Sequence, residues 1–229
     1  MSRCVWILAV VSVLIAVFAV RDVIDHSQHA RQINYADPID ILLLGDSITQ
    51  DWGGLDTSTM NTEWKKRFGI YKSINAGLTK VKVEDLALRL DHRDFAGLKP
   101  RVVILMIGIN NLLGQNTNPE NLAKAIQQCV VKVRWAFPKA DVILVKILPA
   151  CEPLSILYRD VRTTNGAIDR LRLDNDPQVR VLDLTKDFLE PDGALKKSLF
   201  FDQVHLSQKG YGVYAEGLRP LIQKSLAGR

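Results

Sequence analysis

The 229 residues, 47% hydrophobic and 24% charged, have the make-up of a globular chain and exclude a disordered one. The formal net charge of +5 is spread out. Lys65-Lys66-Arg67, Arg89, Arg170, Arg172 and Lys196-Lys197 alternate with acids, and no basic stripe interleaved with aromatics points to nucleic acid.

Residues Cys4–Val20 form an unbroken apolar run between Arg3 and Arg21-Asp22. A signal-peptide core is usually about 7–15 residues and a membrane span about 17–25, so this run lies at the border between them. Val17-Phe18-Ala19 offers a small-residue cleavage site before Val20, but the length favours an uncleaved signal-anchor over residues 1–20. Arg3 and the free amine place the N-terminus in the cytoplasm and the remainder outside it. Residues 21–37 are polar and aperiodic and are expected to be a tether. Residues 38–229 are then one domain, long enough for a sizeable core.

From there the pattern alternates strand and helix. Ile39–Leu44, Tyr71–Ile74, Val102–Ile107, Val142–Ile147 and Val179–Leu184 are short runs rich in Val, Ile or Leu. Such runs suit a parallel sheet covered on both faces. Expected helices are Asn61–Phe68, Val83–Asp91, Pro119–Phe137, Ile156–Leu173 and Ser207–Leu226. Pro119 behind Asn118 is a start signal and Pro138 a stop. The alternation predicts right-handed crossovers and an α/β fold of three layers, α/β/α, around a five-stranded parallel sheet.

Two strings carry chemistry. Gly45-Asp46-Ser47-Ile48-Thr49 directly follows the first strand, which puts Ser47 in a sharp strand-to-helix turn with its hydroxyl exposed. Asp202-Gln203-Val204-His205 places a carboxylate three residues before a histidine, close enough to accept from Nδ1–H while Nε2 faces elsewhere. A serine hydroxyl needs a base, and the base an orienting partner; Ser47, His205 and Asp202 supply the three roles. Between them, Ile74-Asn75-Ala76-Gly77 and Gly108-Ile109-Asn110-Asn111 each follow an apolar segment. The Gly77 N–H and the Asn110 side-chain amide, with the Ser47 N–H, would make a three-donor oxyanion hole. All of these fall where the chain leaves the C-terminal end of a strand, or just before the last helix, the edge where open α/β sheets bind ligands.

In these four ordered blocks, Ser47, Gly77, Asn110 and His205, the chain resembles the SGNH (GDSL) hydrolase superfamily over roughly residues 39–226. Leu43-Leu44-Gly45-Asp46-Ser47-Ile48-Thr49, Glu63-Trp64, Gly108-Ile109-Asn110-Asn111, Ile147-Leu148-Pro149, His205-Leu206-Ser207 and Gly210-Tyr211 resemble the platelet-activating-factor acetylhydrolase catalytic subunits and their bacterial relatives. The resemblance implies a flavodoxin-like sheet of order 2-1-3-4-5, ester hydrolysis through an acyl-enzyme, and a short, acetyl-sized acyl group on a carbohydrate or lipid. One departure stands beside it: relatives continue after Gly77 with Gly-Ile-Gly-Gly-Asp, whereas this chain reads Leu78-Thr79-Lys80-Val81-Lys82-Val83.

Other residues receive blander readings. Asp46 fixes the serine turn, Asn111 supports its loop, His92 is a solvated helix end, Glu152 lies at the surface, and Trp64 and Trp135 are packing residues. Cys129 and Cys151 are expected to be free thiols rather than a disulfide, no Cys/His spacing suggests a metal, and no cofactor is expected. The same serine and histidine would also serve an acyltransferase or a lysophospholipase-type lipid esterase. A tethered, non-catalytic binding module is the reading from a different class.

Overall fold

The computed structural model describes residues 38–54, 60–114 and 116–227, so the apolar run and the tether lie outside the described residues. In chain order the elements are β1 (Ile39–Gly45), α1 (Ser47–Gln50), α2 (Thr62–Phe68), β2 (Ser73–Asn75), α3 (Val83–Asp91), β3 (Pro100–Met106), α4 (Ile109–Leu113) and α5 (Pro119–Ala136). β4 (Asp141–Val145), α6 (Ile156–Arg170), β5 (Val179–Leu182), α7 (Thr185–Phe188) and α8 (Gln208–Ala227) complete them, with 3-10 turns at Leu173–Asn175 and Lys197–Leu199. The five strands form one parallel sheet in the order β2-β1-β3-β4-β5. This is the architecture and strand order that the alternation and the resemblance imply.

The sheet is apolar because both its faces are covered. Ile41, Leu42, Leu43 and Leu44 of β1 and Val102 to Leu105 of β3 are fully or almost fully buried. Their side chains alternate between two helical layers, and one of these is dense in aromatics. Trp52, just after α1, meets Trp64 edge-on at 5.2 Å, Tyr211 at 4.6 Å and Tyr214 at 5.2 Å. The Trp64 indole N–H finds a partner in Ser73 Oγ at 3.3 Å, which lets so large a polar-tipped ring lie at 0% exposure.

Several boundaries differ from those expected, for local reasons. β2 is Ser73–Asn75, not Tyr71–Ile74. β4 stops at Val145 because Ile147, expected in the strand, satisfies both its backbone groups on one side chain: Asn165 Oδ1 accepts from its N–H and Asn165 Nδ2 donates to its carbonyl. α6 ends at Arg170 rather than Leu173, where Arg172 turns left-handed. Trp135 corrects the reading of a packing residue: it is 82% exposed, whereas Trp64 is packed as expected. Cys129 is buried, with its thiol pushed up to about 12 by desolvation, and Cys151 is half-buried; both are free.

Two helical glycines make opposite demands. A Cβ on Gly210 would stand 2.1 Å from the Leu199 carbonyl oxygen, so the first turn of α8 touches the backbone of the Lys197–Leu199 turn. A Cβ on Gly166, in α6, would meet nothing nearer than Arg170 Nη1 at 3.8 Å. Gly210→Ala is therefore expected to destabilise by about 1–3 kcal/mol, the range for overpacking. Gly166→Ala is expected to stabilise by about 0.5–1 kcal/mol. Urea midpoints that moved in the same direction for both would contradict this packing.

Candidate active site

The serine turn follows from three short-range requirements. Gly45 ends β1 where a Cβ would lie 2.2 Å from the Met106 carbonyl oxygen and 2.2 Å from Thr49 Oγ1, so only glycine lets the chain fold back so tightly beside β3. Asp46 is the N-cap of α1, its Oδ1 accepting from the Ile48 N–H at 3.1 Å. Ser47 is then the first helical residue, held at the C-terminal edge of the sheet. On the opposite side the Tyr211 hydroxyl donates to the Ile48 carbonyl at 2.8 Å.

Ser47 Oγ lies 3.0 Å from His205 Nε2, and His205 Nδ1 lies 2.8 Å from Asp202 Oδ2. An ionised carboxylate only accepts, so Nδ1 carries the ring proton in this arrangement and Nε2 of the neutral ring accepts from the serine O–H. Asp202 also receives the backbone N–H groups of Val204 and His205 on Oδ1, each at 2.7 Å. One carboxylate thus shapes the loop and orients the ring. Partial burial works against its charge, but the hydrogen bonds from His205 and Val204 and the imidazole beside it hold Asp202 below the ordinary carboxyl range. The base side of the line is open: the side chains of His205 and Asp202 are 37% and 47% exposed.

Asn110, at the start of α4, donates one amide hydrogen to the Val81 carbonyl at 3.0 Å. That bond pins the loop after β2 and leaves the amide's second hydrogen for another acceptor. The glycine just before α4, Gly108, has φ 128°, a left-handed turn off β3 that favours glycine. Asn111 supports the loop as expected, accepting from the Val83 N–H at 3.1 Å and donating to Glu84 at 2.8 Å. Gly77 differs from the expectation. Its N–H donates to Asn75 Oδ1 at 3.0 Å, within a buried Asn75 network that also reaches the Thr49 and Gly53 carbonyls. This engagement removes Gly77 from the free donors. Its lack of a side chain serves a different need, since a Cβ would lie 2.5 Å from the Gln50 nitrogen.

Lys80 is the feature the sequence reading passed over. It has φ 62° in the turn that Leu78 and Val81 close, the third-residue position where glycine is usual. The backbone keeps a glycine-type turn although the glycines of the resemblance are gone, and lysine at that position gave no signal of it. Glu152 lies at the surface near Lys197, and His92 caps α3. Among the described residues, no three His, Cys, Asp or Glu side chains gather in a way that could hold a metal ion.

The comparisons agree with this architecture. Residues 43–213 match the GDSL-like Lipase/Acylhydrolase family, and the chain belongs to that family, whose members are carboxylic ester hydrolases. It is 27% identical over 187 residues to human platelet-activating factor acetylhydrolase IB subunit alpha2, covering 82% of this chain and 77% of that one. Among solved structures it resembles a GDSL-like lipase from Bacteroides thetaiotaomicron, with a TM-score of 0.66, 20% identity and coverage of 81% and 88% of the two chains. An acetylxylan esterase from Geobacillus stearothermophilus gives a TM-score of 0.65 at 18% identity, with 83% and 96% covered.

Asp46 differs electrostatically from Asp202. Only 1% exposed, it is raised by desolvation to about 7, although the Ile48 N–H and the charge of His205 pull the other way. Its folded value lies above its unfolded one, so at intermediate pH the folded state binds a proton that the unfolded state lacks. Stability is therefore full below the ordinary carboxyl range and is lost as pH rises through about 7, by at most about 1.4 kcal/mol per pH unit. Asp46→Asn retains a capping oxygen and cannot ionise. Urea titrations between pH 4 and pH 8 should show its stability declining less with pH than the parent's; parallel curves would place the Asp46 proton elsewhere.

Proposed function

We propose that this chain is a serine esterase that removes short acyl groups, acetyl foremost, from a carbohydrate or lipid outside the cytoplasm, held there by its N-terminal segment. The observation that carries the reading is the unbroken hydrogen-bonded line from Asp202 through His205 to Ser47, open to solvent at the C-terminal edge of the sheet. The named relatives, an acetylhydrolase and an acetylxylan esterase, support the acetyl preference. The apolar run Cys4–Val20 behind Arg3 supports the location. Among the described residues no helix is long and apolar enough to cross a membrane.

In this mechanism Ser47 Oγ attacks the ester carbonyl carbon while His205 Nε2 takes its proton. The negative charge that develops on the carbonyl oxygen is met by the Ser47 N–H and the second amide hydrogen of Asn110. The bond to the alcohol breaks, and the imidazolium returns its proton to the departing alkoxide. Water, deprotonated by the same nitrogen, then cleaves the acyl-enzyme. Asp202 remains ionised throughout and stabilises the imidazolium, a role suited to a carboxyl held low by three hydrogen bonds. Removing one oxyanion donor typically costs about 2.7–4 kcal/mol of barrier, so Asn110→Ala should lose activity by about 10²–10³.

Ser47→Ala should abolish fluorophosphonate labelling and lower turnover of p-nitrophenyl acetate by about five to six orders of magnitude. Asp202→Asn should retain more activity than His205→Ala, because an Asn Oδ1 can still receive the two backbone N–H groups that shape the loop. A Ser47→Ala protein that still labels would remove Ser47 as nucleophile.

Acyl length tests the substrate reading separately. Each methylene refused by a pocket is worth about 1–3 kcal/mol, so acetyl and butyryl esters should be turned over much faster than octanoyl ones. Rates climbing steadily from acetyl to decanoyl would move the assignment to a long-chain lipid esterase while leaving the catalytic line intact.

A further inference from the structure

The two oxyanion donors sit on different elements: Ser47 opens α1 beyond β1, and Asn110 lies in α4 beyond β3. Gly77 offers no third, because Asn75 Oδ1 takes its N–H. Two donors stabilise an oxyanion only when both are fixed, before the reaction, on the point where its charge develops. The turn Leu78–Val81 bridges them, and it grips the chain on both sides of the serine. The Leu78 N–H donates to the Gly45 carbonyl at 3.0 Å, and the Thr79 N–H donates to Gln50 Oε1 at 2.6 Å. At its far end the Val81 carbonyl accepts from Asn110 Nδ2 at 3.0 Å. Between Thr79 and Val81 the backbone of Lys80 is left-handed, with φ 62°, unfavourable for any residue with a Cβ. The bond that closes the turn, from the Val81 N–H to the Leu78 carbonyl, is long at 3.4 Å. Strain of this kind persists only where the surroundings over-determine it. The Gln50 side chain makes the shortest of these four bonds, and its own backbone is fixed: Asn75 Nδ2 donates to the Thr49 and Gln50 carbonyls at 3.0 and 3.2 Å.

We propose that Gln50 is a positioning residue for ester hydrolysis: through the backbone of Thr79 to Val81 it holds the Asn110 amide in line with the Ser47 N–H. The proposal rests on the reading of Ser47 and Asn110 as oxyanion donors and adds the group that ties one to the other. Gln50 belongs to the helix that carries the nucleophile, so its oxygen references the turn to the serine rather than to the rest of the sheet. Without that acceptor the strained Lys80 turn relaxes, the Val81 carbonyl shifts, and the amide bonded to it turns with it. The amide's second hydrogen then meets the developing charge at a poorer angle. The ester in its ground state makes less demand on that hydrogen, so the loss falls on turnover rather than on binding.

The test is a double-mutant cycle on the full chain with p-nitrophenyl acetate. Gln50→Met keeps the length of the side chain and loses the acceptor. A misplacement of about 1 Å can cost about 10²-fold, so Gln50→Met should lower kcat by about 10–10²-fold and change KM by less than about threefold. In the Asn110→Ala background the same substitution should lower kcat by less than about twofold, because the donor that Gln50 aims is gone. Gln50→Glu keeps an oxygen for the Thr79 N–H and should retain at least about a third of the parent's kcat. A Gln50→Met enzyme as active as the parent, or a Gln50→Glu enzyme as slow as Gln50→Met, would overturn the proposal. An equal loss with and without the Asn110 amide would overturn it too, making Gln50 a support of the fold alone. The reading beneath it is judged separately. A slow Asn110→Ala enzyme beside a fully active Gln50→Met one refutes the positioning role only, whereas a fully active Asn110→Ala enzyme removes the oxyanion assignment and the proposal together.

Discussion

The site depends on the docking of the last helix against the first. The Tyr211 hydroxyl of α8 reaches the Ile48 carbonyl of α1, and its ring packs on Trp52 just beyond that helix. His205 is in the short segment leading into α8, so the 3.0 Å separation between its Nε2 and Ser47 Oγ is set by how α8 seats. Burial of an aromatic cluster, rather than any polar bond at the surface, supplies the energy for that seating. At its first turn α8 also closes on the Lys197–Leu199 turn, where Gly210 leaves room for the Leu199 carbonyl oxygen 2.1 Å from where a Cβ would stand.

Two carboxyl groups act on the same imidazole from different environments. Asp202 is half in water and hydrogen-bonded three times, and it stays charged. Asp46 is sealed beneath the serine with far less compensation, and its charge is disfavoured. The contrast divides the labour: one group stays charged against the imidazole ring, while the other braces a turn with its charge disfavoured by burial.

Most of the fold was legible because a doubly covered parallel sheet leaves a plain mark, five β-branched and leucine runs separated by helical lengths. The serine, histidine and aspartate were legible because each has a neighbour that explains it: Gly45 and Asp46 before Ser47, and a three-residue spacing between Asp202 and His205. What failed depended on contacts with no local trace. Trp135 sits on a helix with an apolar stripe, yet its ring lies off that stripe, and only the packed structure shows which side is covered. The role given to Gly77 rested on chain order, whereas its N–H is claimed by Asn75, two residues earlier in sequence but oriented by a network reaching across to α1. Lys80 adopts a glycine backbone without being one, so composition gave no sign of it.

The wide separation of Ser47 and His205, 158 residues apart in sequence, has a consequence for the chain during its own synthesis. The nucleophile and the strand that carries it emerge early, whereas the base arrives with the final helix. Until that helix is released and seated, the serine has no proton acceptor beside it and is an ordinary alcohol. An esterase built this way stays silent until α8 has been made and seated, so its reactivity follows the docking of that helix.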